Sequence, residues 1–246
     1  FQRAINAALG DLKYTMALVY MDDILIPSET VEQGLDYLKQ VLDVLRVAGF
    51  SLNLSKCKFL QTELEYLGRH ISSEGIRPSK SKVEALTKVA SPTDVKQVRQ
   101  FMGLAGYFRK FIPNFACRTA CITNLTKSGV LFQWTAEHER AKEYVINCLV
   151  SEPLLTIFNP DLPTELHTDA SSVGYGGILI QKYDGQNRVV AYFSKRTSPS
   201  ECKYHSYELE TLAIINSLKH FRVYLIGIKF TIVTDCNAIK ATVNKR

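Results

Sequence analysis

Two apolar, strand-forming runs flank a pair of adjacent carboxylates near the start of the chain. The stretch reads Ala17-Leu18-Val19-Tyr20-Met21-Asp22-Asp23-Ile24-Leu25-Ile26. Valine, tyrosine and isoleucine favour strands, and aspartate tolerates the backbone angles of a tight turn. We therefore predict a hairpin with Asp22 and Asp23 at its tip. Adjacent like charges are costly unless a cation lies beside them, and carboxylate oxygens suit Mg²⁺. The alternative interpretation is a solvated turn.

The composition bounds the class of protein without defining it. The chain has 246 residues, 46% of them apolar, which is enough for one large domain or two ordinary ones. Its net charge of +6 fits a polyanionic partner and equally an ordinary basic protein. No apolar run approaches the roughly 18 residues of a membrane span, and no signal peptide is evident. Since the chain opens with Phe1 inside a predicted helix, we expect a fragment of a longer protein.

Six cysteines are scattered along the chain without a Cys-x-x-Cys pair. Cys117 and Cys121 are the closest pair, and they lack a second pair of cysteine or histidine residues at metal-ligand spacing. We therefore expect reduced thiols in an intracellular protein.

Hydrophobic periodicity and turn residues define the elements of the first two thirds of the chain. The predicted helices are 1–13, 31–49, 80–89, 92–112 and 136–150; the predicted strands after the hairpin are 51–54 and 64–71; residues 75–79 form a turn, and residues 113–135 are irregular. Gly49 is the expected C-cap of the second helix. Ser91 and Pro92 are the expected N-cap and first residue of helix 92–112. Gly68, inside a strand, suggests a close backbone approach.

One side of helix 92–112 carries a basic and aromatic stripe. Its members are Lys96, Arg99, Gly103, Tyr107 and Lys110, at a spacing that keeps them on one helix face. Cations can neutralise phosphates, and a glycine lets the helix approach a sugar–phosphate backbone closely. The stripe therefore predicts a nucleic-acid contact. The alternative is a solvated face in which Gly103 serves helix–helix packing.

The sequence pattern of the last third of the chain predicts a sheet and one long helix. The predicted strands are 164–169, 177–182, 188–194 and 229–234, and the predicted helix is 205–222. The tetrapeptide Tyr183-Asp184-Gly185-Gln186 indicates a hairpin turn between the second and third strands.

Two strands of this region end in Thr-Asp, at Asp169 and Asp235, and the helix between them carries Glu208 and Glu210. If sheet and helix pack as the periodicities suggest, both aspartates and one glutamate converge. Three carboxylates at one point require divalent cations. Two metal ions about 3.5–4 Å apart are the usual device for attack on a phosphodiester, one activating water and the other stabilising the leaving oxygen. Each aspartate alone could equally be a turn cap.

The motifs resemble a known family in two places. Tyr20-Met21-Asp22-Asp23 resembles the catalytic hairpin of reverse transcriptases. His167-Thr168-Asp169-Ala170-Ser171 and the helix 207–214 resemble ribonuclease H. Together with further matching segments, the whole chain resembles the Pol polyprotein of a gypsy-type LTR retrotransposon. These segments are Phe1-Gln2-Arg3, Phe59-Leu60-Gln61, Tyr66-Leu67-Gly68, Gly75-Ile76-Arg77-Pro78 and Phe111-Ile112-Pro113-Asn114-Phe115.

The resemblance implies a role for each candidate residue. Leu67-Gly68 is the expected primer grip, and the stripe that includes Arg99 and Tyr107 is the expected thumb helix on the minor groove. The implied metal ligands and catalytic residues are Asp22, Asp23, Asp169, Glu210 and Asp235. The implied cofactor is Mg²⁺ or Mn²⁺, two ions per active site. Glu208 is then an exposed helix residue.

The implied partners are an RNA–DNA hybrid, a template–primer duplex and, in the full-length enzyme, dNTPs. No membrane is implied, and the oligomeric state is left open. The expected location is intracellular, in a cytoplasmic particle or the nucleus.

The implied fold combines α+β and α/β parts in four segments. Residues 1–74 are the C-terminal part of a polymerase palm, 75–135 a helical thumb, 136–162 a joining helix and linker, and 163–246 a C-terminally truncated RNase H-like domain with a mixed sheet.

Departures from the family pattern limit the expected activity. The third palm aspartate lies on a strand that would precede Phe1, and the fourth RNase H carboxylate has no assigned position. We therefore expect no polymerase activity from this chain alone and at best weak, metal-dependent nuclease activity. Two alternatives stay open: a non-catalytic, retroelement-derived nucleic-acid-binding protein, and an unrelated cytosolic α/β protein without salt-dependent nucleic-acid binding.

Overall fold

A computed structural model describes residues 1–237 and 239. The chain divides into two compact units, residues 1–62 and residues from 63 onward. In the described part of the chain, no helix is long and apolar enough to cross a membrane. The four functional segments predicted from the sequence stay a prediction.

The first unit packs two helices around a short hairpin. Its elements are α1 (Gln2–Leu9), β1 (Leu18–Tyr20), β2 (Asp23–Leu25) and α2 (Val31–Val47). The strands pair antiparallel, and apolar residues of both helices form the core of the unit. The structure therefore contains the predicted carboxylate hairpin and both predicted helices.

Helix α2 ends at the glycine that was predicted to cap it, Gly49. Gly49 has a φ of 76°, its N–H donates to the carbonyl of Arg46, and the N–H of Phe50 donates to the carbonyl of Leu45. This pair of bonds is the Schellman motif, which favours glycine at the left-handed position.

The strand predicted at 51–54 is absent, and a 3₁₀ turn, Leu54–Lys56, lies there instead. The side chain of Asn53 accepts a hydrogen bond from the backbone N–H of Ser55. Such local side-chain bonding competes with a strand ladder, so the alternating apolar pattern does not form a strand.

The second unit begins with a three-stranded antiparallel sheet. Its strands are β3 (Leu64–Tyr66), β4 (Arg69–Ser72) and β5 (Gly75–Pro78). The prediction of a turn over 75–79 is therefore wrong. Ile76 of β5 exchanges two backbone hydrogen bonds with Leu155, at 2.7 and 2.9 Å. β5 also pairs with β4 from Ser72↔Gly75 to Arg69↔Pro78, so the hairpin turn lies before Gly75 and not over 75–79.

Helices fill the middle of the second unit. They are α3 (Lys80–Thr87), α4 (Val95–Tyr107), α5 (Phe115–Arg118), α6 (Ala120–Asn124) and α7 (Ala136–Val150). Their shared core includes Phe101, Phe108 and Val145. The region predicted to be irregular, 113–135, thus contains two short helices.

Helix α4 starts later than predicted. Its N-cap is Asp94, whose carboxylate accepts a hydrogen bond from the backbone N–H of Gln97 at 2.8 Å. Ser91, the predicted N-cap, instead donates its hydroxyl to Glu139 at 2.6 Å. A carboxylate is as good a cap as a hydroxyl, and Ser91 has a tertiary partner that the sequence does not reveal.

The remainder forms a mixed sheet with a helix on one face. The elements are β6 (Thr164–Ala170), β7 (Gly174–Tyr183), β8 (Gln186–Arg196), α8 (Ser206–His220), α9 (Arg222–Leu225) and β9 (Phe230–Val233). The strand order is β8-β7-β6-β9, with β6 and β9 parallel and the other pairs antiparallel. Asp184 and Gly185 both have positive φ in the predicted hairpin turn, as a type I′ turn requires.

Candidate active sites and nucleic-acid surface

The first carboxylate pair lies at the tip of the β1–β2 hairpin. Asp22 and Asp23 are both exposed. The unusual backbone angle falls on Met21, with φ 56°, and not on an aspartate as the sequence suggested. The N–H of Met21 donates to the side-chain carbonyl of Gln2, which fixes the tip to α1. Both carboxylates are therefore available to a ligand that approaches the hairpin.

The second carboxylate set lies where two parallel strands end at one edge of the mixed sheet. His167 of β6 pairs with Val233 of β9, so the chain reaches Asp169 and Asp235 at the same level of the sheet. Both aspartates are exposed. The parallel pairing thus brings together two residues that are far apart in sequence.

Glu210 reaches the same edge from helix α8. Its side chain is buried, and one carboxylate oxygen, Oε1, accepts a hydrogen bond from the backbone N–H of Ala170 at 3.3 Å. The other oxygen, Oε2, is buried without a hydrogen-bond partner. Burial raises the pKa of Glu210, and the charges of Asp235 and Asp169 raise it further, whereas the Ala170 N–H acts in the opposite direction. Glu210 therefore lies near enough to both predicted aspartates to be affected by their charges.

A glycine lets α8 lie close enough to the sheet for this contact. Gly177 of β7 pairs with Thr168 of β6. A Cβ atom at position 177 would lie 2.5 Å from the Ser217 hydroxyl of α8. No side chain fits there, so the helix packs directly against the strand backbone.

Glu208, the other candidate on α8, has a structural role. It is exposed, and its carboxylate accepts a hydrogen bond from the backbone N–H of His205, the N-cap residue, at 2.9 Å. The His205 side chain in turn faces the first turn of the helix. This arrangement is a capping box, so Glu208 points to the start of its own helix and Glu210 points to the sheet.

The carboxylates at the sheet edge fit a divalent cation chemically, although they do not form a closed ligand set. Among residues 1–237 and 239, no three His, Cys, Asp or Glu side chains are arranged to hold a metal ion. The unpartnered Oε2 atom of Glu210 is nevertheless a hard oxygen ligand beside two exposed aspartates, which is the donor type that Mg²⁺ and Mn²⁺ prefer.

A cavity of about 470 Å³ adjoins the two aspartates. The residues that line it include Asp169, Asp235, Pro113 and Asn114. Asn114 has a φ of 51° and is exposed. Sequence reasoning missed this loop, because Pro113 and Asn114 lie far along the chain from both aspartates.

Four of the five predicted stripe residues lie on α4. Lys96, Arg99, Gly103 and Tyr107 are all exposed. A Cβ atom at Gly103 would meet nothing within 4 Å, so no described element packs against this position. The alternative that Gly103 serves helix–helix packing is therefore excluded for the described part of the chain.

The fifth stripe residue, Lys110, does not lie on α4. The helix ends at Tyr107, and Lys110 belongs to a 3₁₀ turn, Arg109–Phe111. Its Nζ atom lies 5.2 Å from the ring centroid of Phe111. Burial, followed by the charge of Arg69, lowers the pKa of Lys110 to about 8. The prediction that placed Lys110 on the stripe assumed a helix up to residue 112, but α4 ends at Tyr107.

Leu67 and Gly68 form the turn between β3 and β4, with φ values of 48° and 65°. Positive φ at both positions defines a type I′ hairpin turn. Gly68 therefore lies in the turn and not inside a strand, where the sequence placed it. The Tyr107 hydroxyl donates to the carbonyl of Leu67, and the guanidinium of Arg69 lies 5.1 Å from the Tyr107 ring centroid. The turn and the stripe are thus one continuous surface.

Comparison with known families identifies the class. Residues 1–71 match the family described as reverse transcriptase (RNA-dependent DNA polymerase), and residues 134–232 match the RNase H-like domain found in reverse transcriptase. The two matches define a reverse transcriptase segment joined to an RNase H-like domain.

The relatives with the most informative names are polyproteins of retrotransposons. The Transposon Tf2-3 and Tf2-7 polyproteins of Schizosaccharomyces pombe are each 38% identical to this chain over 238 residues, which are 96% of this chain and 18% of each relative. The chain therefore spans about a fifth of the length of these relatives. Its similarity to these polyproteins confirms the resemblance to the Pol polyprotein of a gypsy-type LTR retrotransposon that was found in the sequence.

Solved structures with the same fold come from a virus. A foamy viral protease-reverse transcriptase in complex with dsDNA matches with a TM-score of 0.81 and 24% identity, over 99% of this chain and 52% of that one. The same protein in complex with RNA/DNA hybrid matches with a TM-score of 0.80 and 24% identity, over 98% of this chain and 33% of that one. The predicted fold class, a partial palm and thumb followed by an RNase H-like mixed sheet, is confirmed.

Proposed function

We propose that this chain is the part of a reverse transcriptase that grips a nucleic-acid duplex and cleaves the RNA strand of an RNA–DNA hybrid. The observation that carries the proposal is Glu210, a buried carboxylate with one unpartnered oxygen whose pKa is raised by burial and by Asp235 and Asp169. Such a group is costly in the free chain, and a divalent cation would offset that cost.

Asp169, Glu210 and Asp235 are the proposed metal ligands of the nuclease site. Bound Mg²⁺ or Mn²⁺, two ions in this proposal, would supply an activated water and stabilise the leaving oxygen. Both aspartates are exposed and accessible to a duplex, and Glu210 accepts a hydrogen bond from the N–H of Ala170, the residue after Asp169.

For the polymerase site we propose Asp22 and Asp23 as metal ligands within the complete enzyme, which also binds dNTPs. Leu67 and Gly68, Lys96, Arg99, Gly103, Tyr107 and Lys110 are the proposed contacts to the template–primer duplex. Support comes from the exposure of the four stripe residues on α4 and from the foamy viral structures of the same fold, which hold dsDNA and RNA/DNA hybrid. We also propose an intracellular location, in a cytoplasmic particle or the nucleus.

The second candidate function is that of a retroelement-derived protein that binds hybrid duplexes without cleaving them. The two candidates differ in chemistry and share the binding surface.

An assay for cleavage of an RNA–DNA hybrid distinguishes the two candidate functions. A hybrid with labelled RNA is incubated with Mg²⁺ or Mn²⁺ and wild-type protein, Asp169→Asn or Glu208→Gln, the last as a matched acidic control. We expect cleavage of the RNA strand alone. Asp169→Asn should lose activity on the order of 100-fold, because about 3 kcal/mol of transition-state stabilisation is removed, and Glu208→Gln should change little. Tight binding without cleavage in wild-type protein would support the binding function; absence of salt-dependent binding would contradict both.

A further inference from the structure

Part of the cavity beside the nuclease carboxylates is lined by a residue from outside the mixed sheet. Asn114 lines this cavity together with Asp169 and Asp235, and it precedes residue 134, where the match to the RNase H-like family begins. The Oδ1 atom of Asn114 lies 3.7 Å from the position that a Cβ atom would take at Gly176. Gly176 pairs with Asp169 in the antiparallel strands, and paired residues project to the same face of a sheet. The amide of Asn114 therefore lies on the face that carries the Asp169 side chain.

Two hydrogen bonds attach the loop that follows α4 to strand β8. The backbone N–H of Ala116 donates to the Oγ atom of Ser194 at 2.9 Å, and the guanidinium of Arg109 donates to the Ser194 carbonyl at 2.8 Å. Ser194 pairs with Gly176 of β7, which in turn pairs with Asp169 of β6. The loop is therefore attached to the sheet at the level of the first nuclease aspartate.

The side chain of Asn114 has no hydrogen-bond partner that would explain its position. Asn114 is the N-cap residue of α5, but its side chain makes no capping hydrogen bond, and it makes no other hydrogen bond within residues 1–237 and 239. The backbone at this position has a φ of 51°, which glycine and asparagine tolerate. The Tyr144 hydroxyl donates to the carbonyl of Pro113 at 3.1 Å and holds the loop from the other side of that residue. The exposed amide is thus available to a ligand.

The chemistry of the cavity indicates which group the amide binds. None of the described residues that line it is a lysine or an arginine, the side chains that usually hold a phosphate. The ring of His167, another lining residue, already lies 2.8 Å from the carboxylate of Glu165. The amide of Asn114 can both donate and accept hydrogen bonds. The ribose 2′-hydroxyl does the same, and it is the group that distinguishes RNA from DNA.

We propose that Asn114 is a specificity residue of the nuclease site, where it hydrogen-bonds the 2′-hydroxyl of one nucleotide of the RNA strand close to the cleaved bond. The inference rests on the proposed function and adds to it a contact from the loop between α4 and α5. The nuclease site is then shared between the helical region and the sheet, and the segment that matches the RNase H-like family lacks one of its contacts to RNA.

Single 2′-deoxy substitutions in the RNA strand test this contact. Hybrids that each carry one 2′-deoxynucleotide, at successive positions on both sides of the main cleavage position, are compared with the all-RNA strand paired to DNA. Cleavage is measured with Mn²⁺, and binding is measured with Ca²⁺ in its place. We expect one position near the cleaved bond at which the substitution weakens wild-type cleavage or binding about three- to tenfold, the effect of one hydrogen bond. All hybrids have the same charge, so their ratios do not depend on the net charge of a variant.

Asn114→Gly removes the amide and supplies the residue that best tolerates positive φ, so it should fold as wild type. We expect it to act on the unsubstituted hybrid about three- to tenfold more weakly, to lose the dependence at that one position, and to keep the wild-type dependence at all others. Asp184→Gly is the matched control. Asp184 is an exposed polar residue with a φ of 49° in the turn between β7 and β8, and its variant should keep the whole wild-type profile.

The outcomes distinguish this inference from the proposed function. If wild-type protein neither cleaves nor binds the hybrid, the proposed function fails and the inference fails with it. If wild-type protein acts on the hybrid but Asn114→Gly keeps the wild-type dependence at every position, only the inference is overturned. An equal loss on every hybrid, with the position dependence unchanged, also overturns it, because Asn114 then serves only the shape of its loop.

Discussion

Glu210 accepts a hydrogen bond from the backbone N–H of Ala170, the residue directly after Asp169, at 3.3 Å. This bond ties helix α8 to the strand that carries the first aspartate of the sheet edge. The neighbouring acidic residue of the same helix, Glu208, accepts instead from the N–H of His205. The two glutamates that flank Leu209 thus have different hydrogen-bond partners. The role of each can be tested by substitution.

The first prediction separates the two glutamates. Glu208→Ala removes half of a capping box and should lower the free energy of unfolding by about 1 kcal/mol, while the rate of hybrid cleavage stays within about twofold of wild type because the metal ligands are untouched. Glu210→Gln should leave the helix capped and reduce cleavage on the order of 100-fold. Thermal unfolding and cleavage rates are measured on both variants. Loss of cleavage in Glu208→Ala with retention in Glu210→Gln would reverse the assignment.

The second prediction uses two glycines of α4. Both Gly103 and Gly106 have open space at the position of a Cβ atom, so alanine at either site should stabilise the helix by up to about 1 kcal/mol. Only Gly103 lies on the stripe. We expect Gly103→Ala to weaken binding of a template–primer duplex severalfold, since the added methyl group separates the helix from the sugar–phosphate backbone. Gly106→Ala, with the same gain in helix propensity, should bind as wild type; equal affinities for the two variants would argue against contact at Gly103.

The third prediction concerns Glu139, a structural carboxylate on α7. It accepts hydrogen bonds from Ser91 at 2.6 Å, Trp134 at 2.7 Å and Lys142 at 3.1 Å. Burial acts to raise the pKa of Glu139, but these hydrogen bonds and the charge of Lys142 hold it below the ordinary 4.5. The ionised form therefore contributes stability that is present above the unfolded-state pKa and is lost as pH falls through the lower folded-state pKa.

Glu139→Gln should accordingly reduce the free energy of unfolding by about 1–2 kcal/mol at neutral pH. The difference from wild type should shrink as the pH falls below 4.5. Denaturant unfolding across this pH range measures the effect, with Glu143→Gln, an exposed carboxylate of the same helix, as control. A deficit that is independent of pH would show that shape, and not charge, is what Glu139 provides.

Local sequence patterns predicted the parts of the fold whose cause is local. The Asp184-Gly185 turn, the Gly49 end of α2 and the carboxylate hairpin are each determined by a few neighbouring residues. Two failures concern where an element begins or ends. Strand β5 pairs with β4 from Gly75 onwards, so the hairpin turn lies before Gly75 and not over 75–79. Lys110 leaves the stripe because α4 ends at Tyr107.

Some residues of the candidate sites were predicted from the sequence, and others were not. The order of acidic residues along the chain was enough to predict Asp169, Glu210 and Asp235, because the family pattern encodes which strand ends meet. Arg69 and Asn114 could not be found, since each acquires its position from an element distant in sequence: the Tyr107 ring for Arg69, and the edge of the mixed sheet for Asn114. Residues 238 and 240–246 lie outside the described residues, so the end of the predicted RNase H-like segment stays a prediction.

Binding of Mn²⁺ tests most directly whether the carboxylates at the sheet edge form a metal site. Electron paramagnetic resonance counts free Mn²⁺ in the presence of protein and RNA–DNA hybrid, for wild-type protein, Asp169→Asn, Glu210→Gln, Asp235→Asn and Glu208→Gln. We expect wild-type protein and Glu208→Gln to bind the same number of ions, and each of the other three variants to lose ions or to bind them at least about tenfold more weakly. Equal binding by all five proteins, or no binding by wild type, would contradict a metal site at this edge.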